Sequence, residues 1–299
     1  MPLPFLVALL LFFCAPRVLA TPSVHDDLER QIALLTEELR SSPGDETLLI
    51  QRGDLLRRHR EWDAAFADLA GVHALRRSQA FVLARTRLFR DLGFLRAATV
   101  ETDGHLLVSP QDAQVRILRA EILELRGLHA RALAGFDRAL AELEHPEPDH
   151  YIARARIAVA CIELGEGAVA RALKGLDEGI ARLGPIPSLQ LAAIELELSR
   201  KNFDAALERL TTVSDQSGRT ETWLAHRGRI LLAAGRKDQA LAAYEASLAA
   251  IRSLKPKQRR TATIQALEQS VIAALQDIRT PREDKAERQT DPDSRHTDQ

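Results

Sequence analysis

The sequence predicts an all-α protein built as a row of helical hairpins, and three observations predict it. Apolar residues recur at the spacing of one helix face through most of the chain. Glycines cut that pattern into helix-sized pieces: Gly127 separates the stripe Ala120, Ile122, Leu123 and Leu125 from Ala132, Phe136 and Ala139. The same pair of helices then returns at a nearly constant interval. An alanine follows each turn, at Ala65, Ala98, Ala132, Ala172, Ala206 and Ala240, in steps of 33, 34, 40, 34 and 34 residues.

Four residues after these alanines stand Leu69, Thr102, Phe136, Leu176, Leu210 and Tyr244, all but the threonine large and apolar or aromatic. On the first helix of each pair a small residue (Gly53, Thr86, Ala120, Ala158, Gly228) lets the two backbones approach, a rule that Ile194 breaks in the fifth pair. Gly93, Gly127 and Gly235 mark the turn in three pairs, and Gly165 marks a longer one. The 40-residue step places extra residues near Pro146 and after Gly165. Hydrophobic residues at 45% and charged residues at 28% fit a foldable, soluble chain. Aromatics at 4% suit helices packed through Ala and Leu.

From the N-terminus, residues 1–20 read as a signal peptide. Leu6 to Phe13 is unbroken apolar sequence, Pro16 ends it, and Val18-Leu19-Ala20 suits a signal peptidase, leaving Thr21 as the new terminus. An uncleaved anchor is the alternative, although the run is shorter than the roughly 20 residues a spanning helix needs. Lipid attachment at Cys14 is a third reading, against which the bulky Phe12-Phe13 stand. The expectation is export, to a bacterial periplasm before secretion or anchoring, with membrane contact only if the segment is uncleaved. Cleavage leaves Cys161 alone, so no internal disulfide is available, and its apolar neighbours make it a buried thiol.

Residues 24–43 form an N-terminal helix or half-repeat, ended by Ser41-Ser42-Pro43-Gly44. The array runs over 46–252. A capping helix at 258–279 carries Ile264, Leu267, Val271, Leu275 and Ile278 at helical spacing, as an open stack requires at its end. Residues 280–299 have no apolar stripe and read as a disordered tail.

This order of small residue, turn, alanine and large apolar residue, closed by a proline such as Pro110, resembles the tetratricopeptide repeat. LLIQRGDLLRRHREWDAAFADL from Leu48 and WLAHRGRILLAAGRKDQALAAYEASL from Trp223 carry the resemblance best. It implies a right-handed α-α superhelix, a solenoid of about six hairpins, whose first helices line a concave face that holds peptides or helices. By periodicity, the polar residues on that face are Asp54, Arg57 and Arg58 in the first repeat and Arg87, Arg90 and Asp91 in the second. Glu121, Glu124, Glu163, Glu195 and Arg229 follow in later repeats. The strip is basic, then acidic, and selects a partner segment of opposite arrangement; the plainer reading is that these charges only solvate a helix face. The family's carboxylate clamp of Lys and Asn is not carried over, because these helices hold no Asn.

Arg52, Arg85, Arg119 and Arg227 each precede the small site on a first helix. A charge repeated there must be solvated or paired. Asp68, Glu101, Asp137, Asp177, Glu208 and Glu245 on second helices are the expected partners, with ligand contact as the alternative role. No nucleophile elbow, phosphate loop or zinc-helix motif is present, so no enzyme, cofactor or small-molecule substrate is expected. A metal at His145–His150 is a distant third reading. The net charge of −1 argues against nucleic acid.

The expected function is a protein-binding scaffold in the envelope or outside the cell. The alternative is a structural subunit that uses the convex face or the capping helix, which an apolar outer face on 261–278 would favour.

Overall fold

The computed structural model describes residues 24–72, 78–161, 165, 167–215 and 218–280. The signal segment 1–20, the tail beyond Thr280 and Glu163 lie outside the described residues. Helix α1 (Val24–Ser41) leads into the hairpins α2 (Glu46–Arg58)/α3 (Trp62–Ala70) and α4 (Gln79–Asp91)/α5 (Leu95–Val108). There follow α6 (Ala113–Leu125)/α7 (His129–Glu142), α8 (Pro148–Ala160)/α9 (Ala168–Leu183), α10 (Pro187–Ser199)/α11 (Phe203–Ser214) and α12 (Thr220–Ala233)/α13 (Lys237–Ser253). A four-residue α14 (Pro256–Arg259) precedes the capping α15 (Ala262–Arg279). Among the described residues there is no strand. The chain divides into two compact units, ending at Val108 and beginning at Ser109.

Local chemistry sets the helix limits. Asp45 Oδ1 accepts from the backbone N–H groups of Thr47 and Leu48, and Ser78 and Asp112 cap α4 and α6 in the same way. Pro148 and Pro187 open α8 and α10, where their missing N–H costs nothing. At the hairpin turns the chain reverses through a residue of positive φ, seen at Gly93 (79°), Gly127 (73°) and Gly235 (75°). Each turn is closed by an N–H reaching back five residues, as from Phe94 to the Phe89 carbonyl at 2.7 Å.

Arg60 and Lys201 hold that same place in the first and fifth repeats, at φ 67° and 60°. A side chain there costs about 1–2 kcal/mol, and glycine gives back part of the gain through its freer unfolded state, about 0.4–1 kcal/mol. Arg60→Gly and Lys201→Gly are therefore each expected to raise stability by about 0.5–1 kcal/mol. Urea denaturation checks this, and a loss of stability would show that these side chains carry compensating contacts.

The close-approach rule holds in space. The six alanines after the turns are all 0–1% exposed. A Cβ built at Gly53 would lie 3.1 Å from Leu69 Cγ, and one at Gly228 2.7 Å from the Tyr244 ring. First helix and second helix thus touch at the positions the spacing names. Ile194, the exception, is fully buried in a separate cluster with Ala206, Leu210, Val213, Trp223 and Ile230. In the second unit the apolar clusters follow the chain: residues 113–193, then 194–230, then 225–275. Each hairpin is covered by its sequence neighbours, and α15 covers α13.

The long connection from α7 to α8 has a dedicated support. Arg182 of α9 donates to the carbonyls of Leu140 (2.9 Å), Leu143 and Glu144 (3.2 Å), supplying the end of α7 with partners its own helix lacks. Cys161 is buried, as expected, but it caps α8 rather than lying within a longer helix. Leu125, expected on the buried stripe, is 59% exposed at the end of α6.

Candidate functional site

In the first unit, helices α1, α2 and α4 enclose a groove of about 610 Å³. Its floor is α2, through Ile50, Gln51, Asp54 and Leu55. One wall is α1, through Gln31, Leu34, Leu35 and Glu38. The other is α4, through Ala80, Leu83, Ala84 and Arg87. Arg52 helps fix the first wall: it donates to Thr36 of α1 at 3.2 Å while gripping Asp68 of α3 with two hydrogen bonds of 2.6 and 2.8 Å. Those bonds to Asp68 hold its guanidinium above the ordinary range although burial opposes them.

Of the residues expected on this face, Asp54 and Arg87 line the groove. Arg57, Arg90 and Asp91 are bound into a network beside it. Arg57 donates to Asp54 at 3.0 Å and also to Asp91, one repeat away, while Arg90 donates to the other oxygen of Asp91 at 3.0 Å. Burial would lower Arg57, but the two carboxylates outweigh it and raise the group above its usual value. Arg58 is exposed, and neither it nor Arg87 has an ionic partner among the described residues.

The second unit treats its charges the same way. Glu124 accepts from Arg156, and Glu195 from Arg229 at 2.5 Å. Glu121 is half-buried on α6. Four of the expected groove charges thus answer one another across repeats, as Arg57 with Asp91 and Glu195 with Arg229. Sequence reading missed this, although the signal was present: Arg57 and Asp91, like Glu195 and Arg229, stand 34 residues apart.

Among the recurring arginines, Arg52 and Arg85 reach the expected partners, Arg85 lying 3.7 Å from Glu101 and over the rings of Phe81 and Phe89. Asp137, Asp177 and Glu245 instead receive arginines of the following second helix or cap: Arg171 (2.6 Å), Arg209 (2.8 Å) and Arg279 (2.5 Å). Arg236 and Asp204 make a further link at 2.7 Å. These carboxylates face the next helix rather than their own partner in the hairpin, which is why the pairing within each hairpin fails for them.

His226 sits on α12 beside Trp223, ring centroids 5.7 Å apart. Burial, then the neighbouring Arg229, push its pKa below the ordinary 6.5, against the pull of Glu195. A depressed histidine pKa means that the unfolded chain takes up the proton first. Its contribution is complete above pH 6.5 and is expected to fall as the pH drops from there through the folded value. His226→Gln should flatten stability across that window in pH-dependent urea titrations; an unchanged slope would remove His226 as the cause.

The segment 145–150 is spent on a helix start: Pro148 opens α8, and the Glu147 N–H donates to His150 Nδ1 at 3.0 Å. Among the described residues no three His, Cys, Asp or Glu side chains converge as metal ligands would.

Residues 125–269 match the sequence profile of the tetratricopeptide repeat-like domain. Together with the repeated hairpins, that match decides the family of this segment. Residues 125–269 form a tetratricopeptide repeat-like domain. Its fold is similar to the C-terminal part of a tetratricopeptide repeat-containing protein from Cytophaga hutchinsonii, with a TM-score of 0.60 at 10% identity over 83% of this chain and 95% of that one. A tetratricopeptide-repeat protein from Parabacteroides merdae aligns at a TM-score of 0.49 and 17% identity, over 82% of this chain and 93% of that one. No curated protein matches by sequence. At these identities the likeness concerns the fold. A tetratricopeptide-repeat stack is a scaffold for contact between proteins.

Proposed function

We propose that this protein is an exported, non-catalytic tetratricopeptide-repeat scaffold that holds a segment of a partner protein against the first helices of its repeats. The groove of α1, α2 and α4 carries the reading: it is open, mainly apolar, and built on rigid helices. The place of action is the cell envelope or the exterior, a reading supported by the apolar run Leu6–Phe13 and the Ala20 cleavage position. Among the described residues no helix is long and apolar enough to cross a membrane. The outer face of α15 favours groove binding over permanent assembly through the cap. It presents Gln265, Gln269, Ser270, Gln276 and Asp277, and Ile272 is its one exposed large apolar side chain among the described residues.

A photo-crosslinking side chain placed at Gln51 in the groove, and separately at the exposed Ala134 of α7, tests the assignment in an envelope fraction. A discrete protein adduct from Gln51 alone is the expected result. Adducts from Ala134 alone would transfer the function to the second helices. Recovery of a mature chain beginning at Thr21 is expected, and retention of Met1 in a cytoplasmic pool would sink the export assignment.

A further inference from the structure

The second helix of each hairpin turns one side to solvent, and the repeat makes those sides comparable. Counted from the alanine after each turn, the solvent positions fall one residue before it and two, six, nine and ten after it. On α7 they carry Arg131, Arg138 and Glu142, on α9 Arg171, Lys174, Glu178 and Arg182, and on α11 Glu208 and Asp215, all exposed. On α5 the same positions hold Ala97, Val100, Gly104, Leu107 and Val108. Val100 is 71% exposed, Leu107 84% and Val108 80%, while Phe94 flanks the strip at 58%. Helix α5 is thus inverted: it buries Thr99, Glu101, Thr102 and His105 and leaves these aliphatic side chains in water.

Together the exposed side chains open roughly 500 Å² of apolar surface, toward the upper end of what a monomer leaves uncovered. A stable two-fold contact takes about 800 Å² from each partner, so the strip supplies more than half of one. It also fits itself. Two α5 helices laid antiparallel, with the two-fold axis level with Thr102, set Val100 against Gly104 and Leu107 against Ala97, each pair twice. Large meets small at each step, the arrangement by which facing helices interdigitate. Among the described residues of α5, Arg96 alone is both charged and exposed, so the strip brings no like charges face to face. Gly104 gains a reason here. Glycine weakens a helix interior, and nothing in its own chain requires it, since a Cβ there would meet no atom within 4 Å.

We infer that the chain forms a two-fold dimer through the solvent side of α5, Val100 of each copy seated over Gly104 of the other. A lipid surface fits the strip less well, because its rim offers one arginine where anionic headgroups call for a basic face. No residue lining the groove of α1, α2 and α4 belongs to α5. The dimer therefore goes beyond the scaffold reading, and neither depends on the other.

Sedimentation velocity of the full chain from about 1 to 300 µM tests the inference, with a monomer–dimer equilibrium as the expected result. Leu107→Lys should weaken the dimer about 100-fold, and its exposed position leaves the fold unchanged by circular dichroism. Ala97→Glu should weaken it as well. The two changes in one chain should recover about ten-fold, since each glutamate then meets a lysine of the other copy. Along their own helix these positions stand about 15 Å apart, too far to pair within it. Gly104→Leu separates packing from plain hydrophobic adhesion: it enlarges the apolar strip, yet it fills the place of Val100 and should weaken the dimer about ten-fold. A chain monomeric throughout the range, a dimer indifferent to Leu107→Lys, a double variant no tighter than the single ones, or a dimer tightened by Gly104→Leu would overturn the inference. Flotation with phosphatidylcholine–phosphatidylglycerol vesicles that Leu107→Lys abolishes, with no dimer in solution, would give the strip to a membrane and overturn it too. Crosslinking from Gln51 tests the scaffold reading separately, and failure of either leaves the other standing.

Discussion

Phe136→Ala is expected to cost about 3–5 kcal/mol, the range for emptying a fully buried aromatic site. Phe136 has no exposed surface and sits in the cluster with Ala120, Ala132, Leu140 and Ala158, residues too small or too constrained by close helix approach to fill the space. Because burial passes from neighbour to neighbour, the damage should be local. Hydrogen exchange is expected to show α6 to α9 losing protection while α12, α13 and α15, which bury Leu231, Tyr244 and Val271 in another cluster, keep theirs. A cost below about 1 kcal/mol, or a uniform loss of protection along the second unit, would contradict this picture of the core.

Gly179→Leu is expected to be the second most damaging change. Gly175 and Gly179 face α8 from α9. A Cβ at 179 would fall 2.6 Å from the Tyr151 ring, and one at 175 would fall 2.6 Å from the Arg154 guanidinium. Neither neighbour has room to retreat. Tyr151 and Arg154 are both buried, the arginine stacks over the ring at 5.6 Å, and its Nη2 donates to Glu178 at 2.5 Å. Helix propensity gains about 1 kcal/mol when glycine is replaced, whereas forced overpacking costs about 1–3 kcal/mol and sometimes more. The Arg154–Glu178 bridge, exposed at its carboxylate, adds little to that cost. The net expectation is a loss of about 1–2 kcal/mol. Gly104→Ala in α5, whose Cβ would meet nothing within 4 Å, isolates the propensity term and should stabilise by about 1 kcal/mol. Thermal melts of the two variants moving in the same direction would refute the steric account.

The hairpins were legible because their determinants are short-range. An alanine where two helices touch, a glycine where φ must be positive and an apolar residue four places on can each be read within one window. The groove was only partly legible. The period brings Asp54 and Arg87 to the groove lining, but it does not reveal the apolar floor or the α1 wall, because α1 lies outside the repeat and apolar positions carry the same signal whether they line a cleft or a core. Arg60 and Lys201 were hidden for a different reason. Both have poor local preference for their backbone conformation, so tertiary pairing of the helices imposes it. The inter-repeat ion pairs were invisible for a third reason: whether a charge points across its hairpin or along the stack depends on a rotation of one turn, which Asp68 and Asp137 resolve in opposite ways.

Among the described residues of the second unit, the bridges that link one repeat to the next, or the last repeat to the cap, share one orientation. In each of 124–156, 137–171, 177–209, 195–229, 204–236 and 245–279 the carboxylate comes earlier in the chain and the arginine later. Each exposed bridge adds only about 0.2–1 kcal/mol, so their sum matters less than their polarity. A hairpin docked back to front during folding would press acid on acid and arginine on arginine. The bridges thus act as a vectorial key, rejecting misassembled stacks while the chain is still sorting its contacts. Salt weakens that rejection, since a Debye length near 8 Å at physiological ionic strength shrinks to about 3 Å at 1 M.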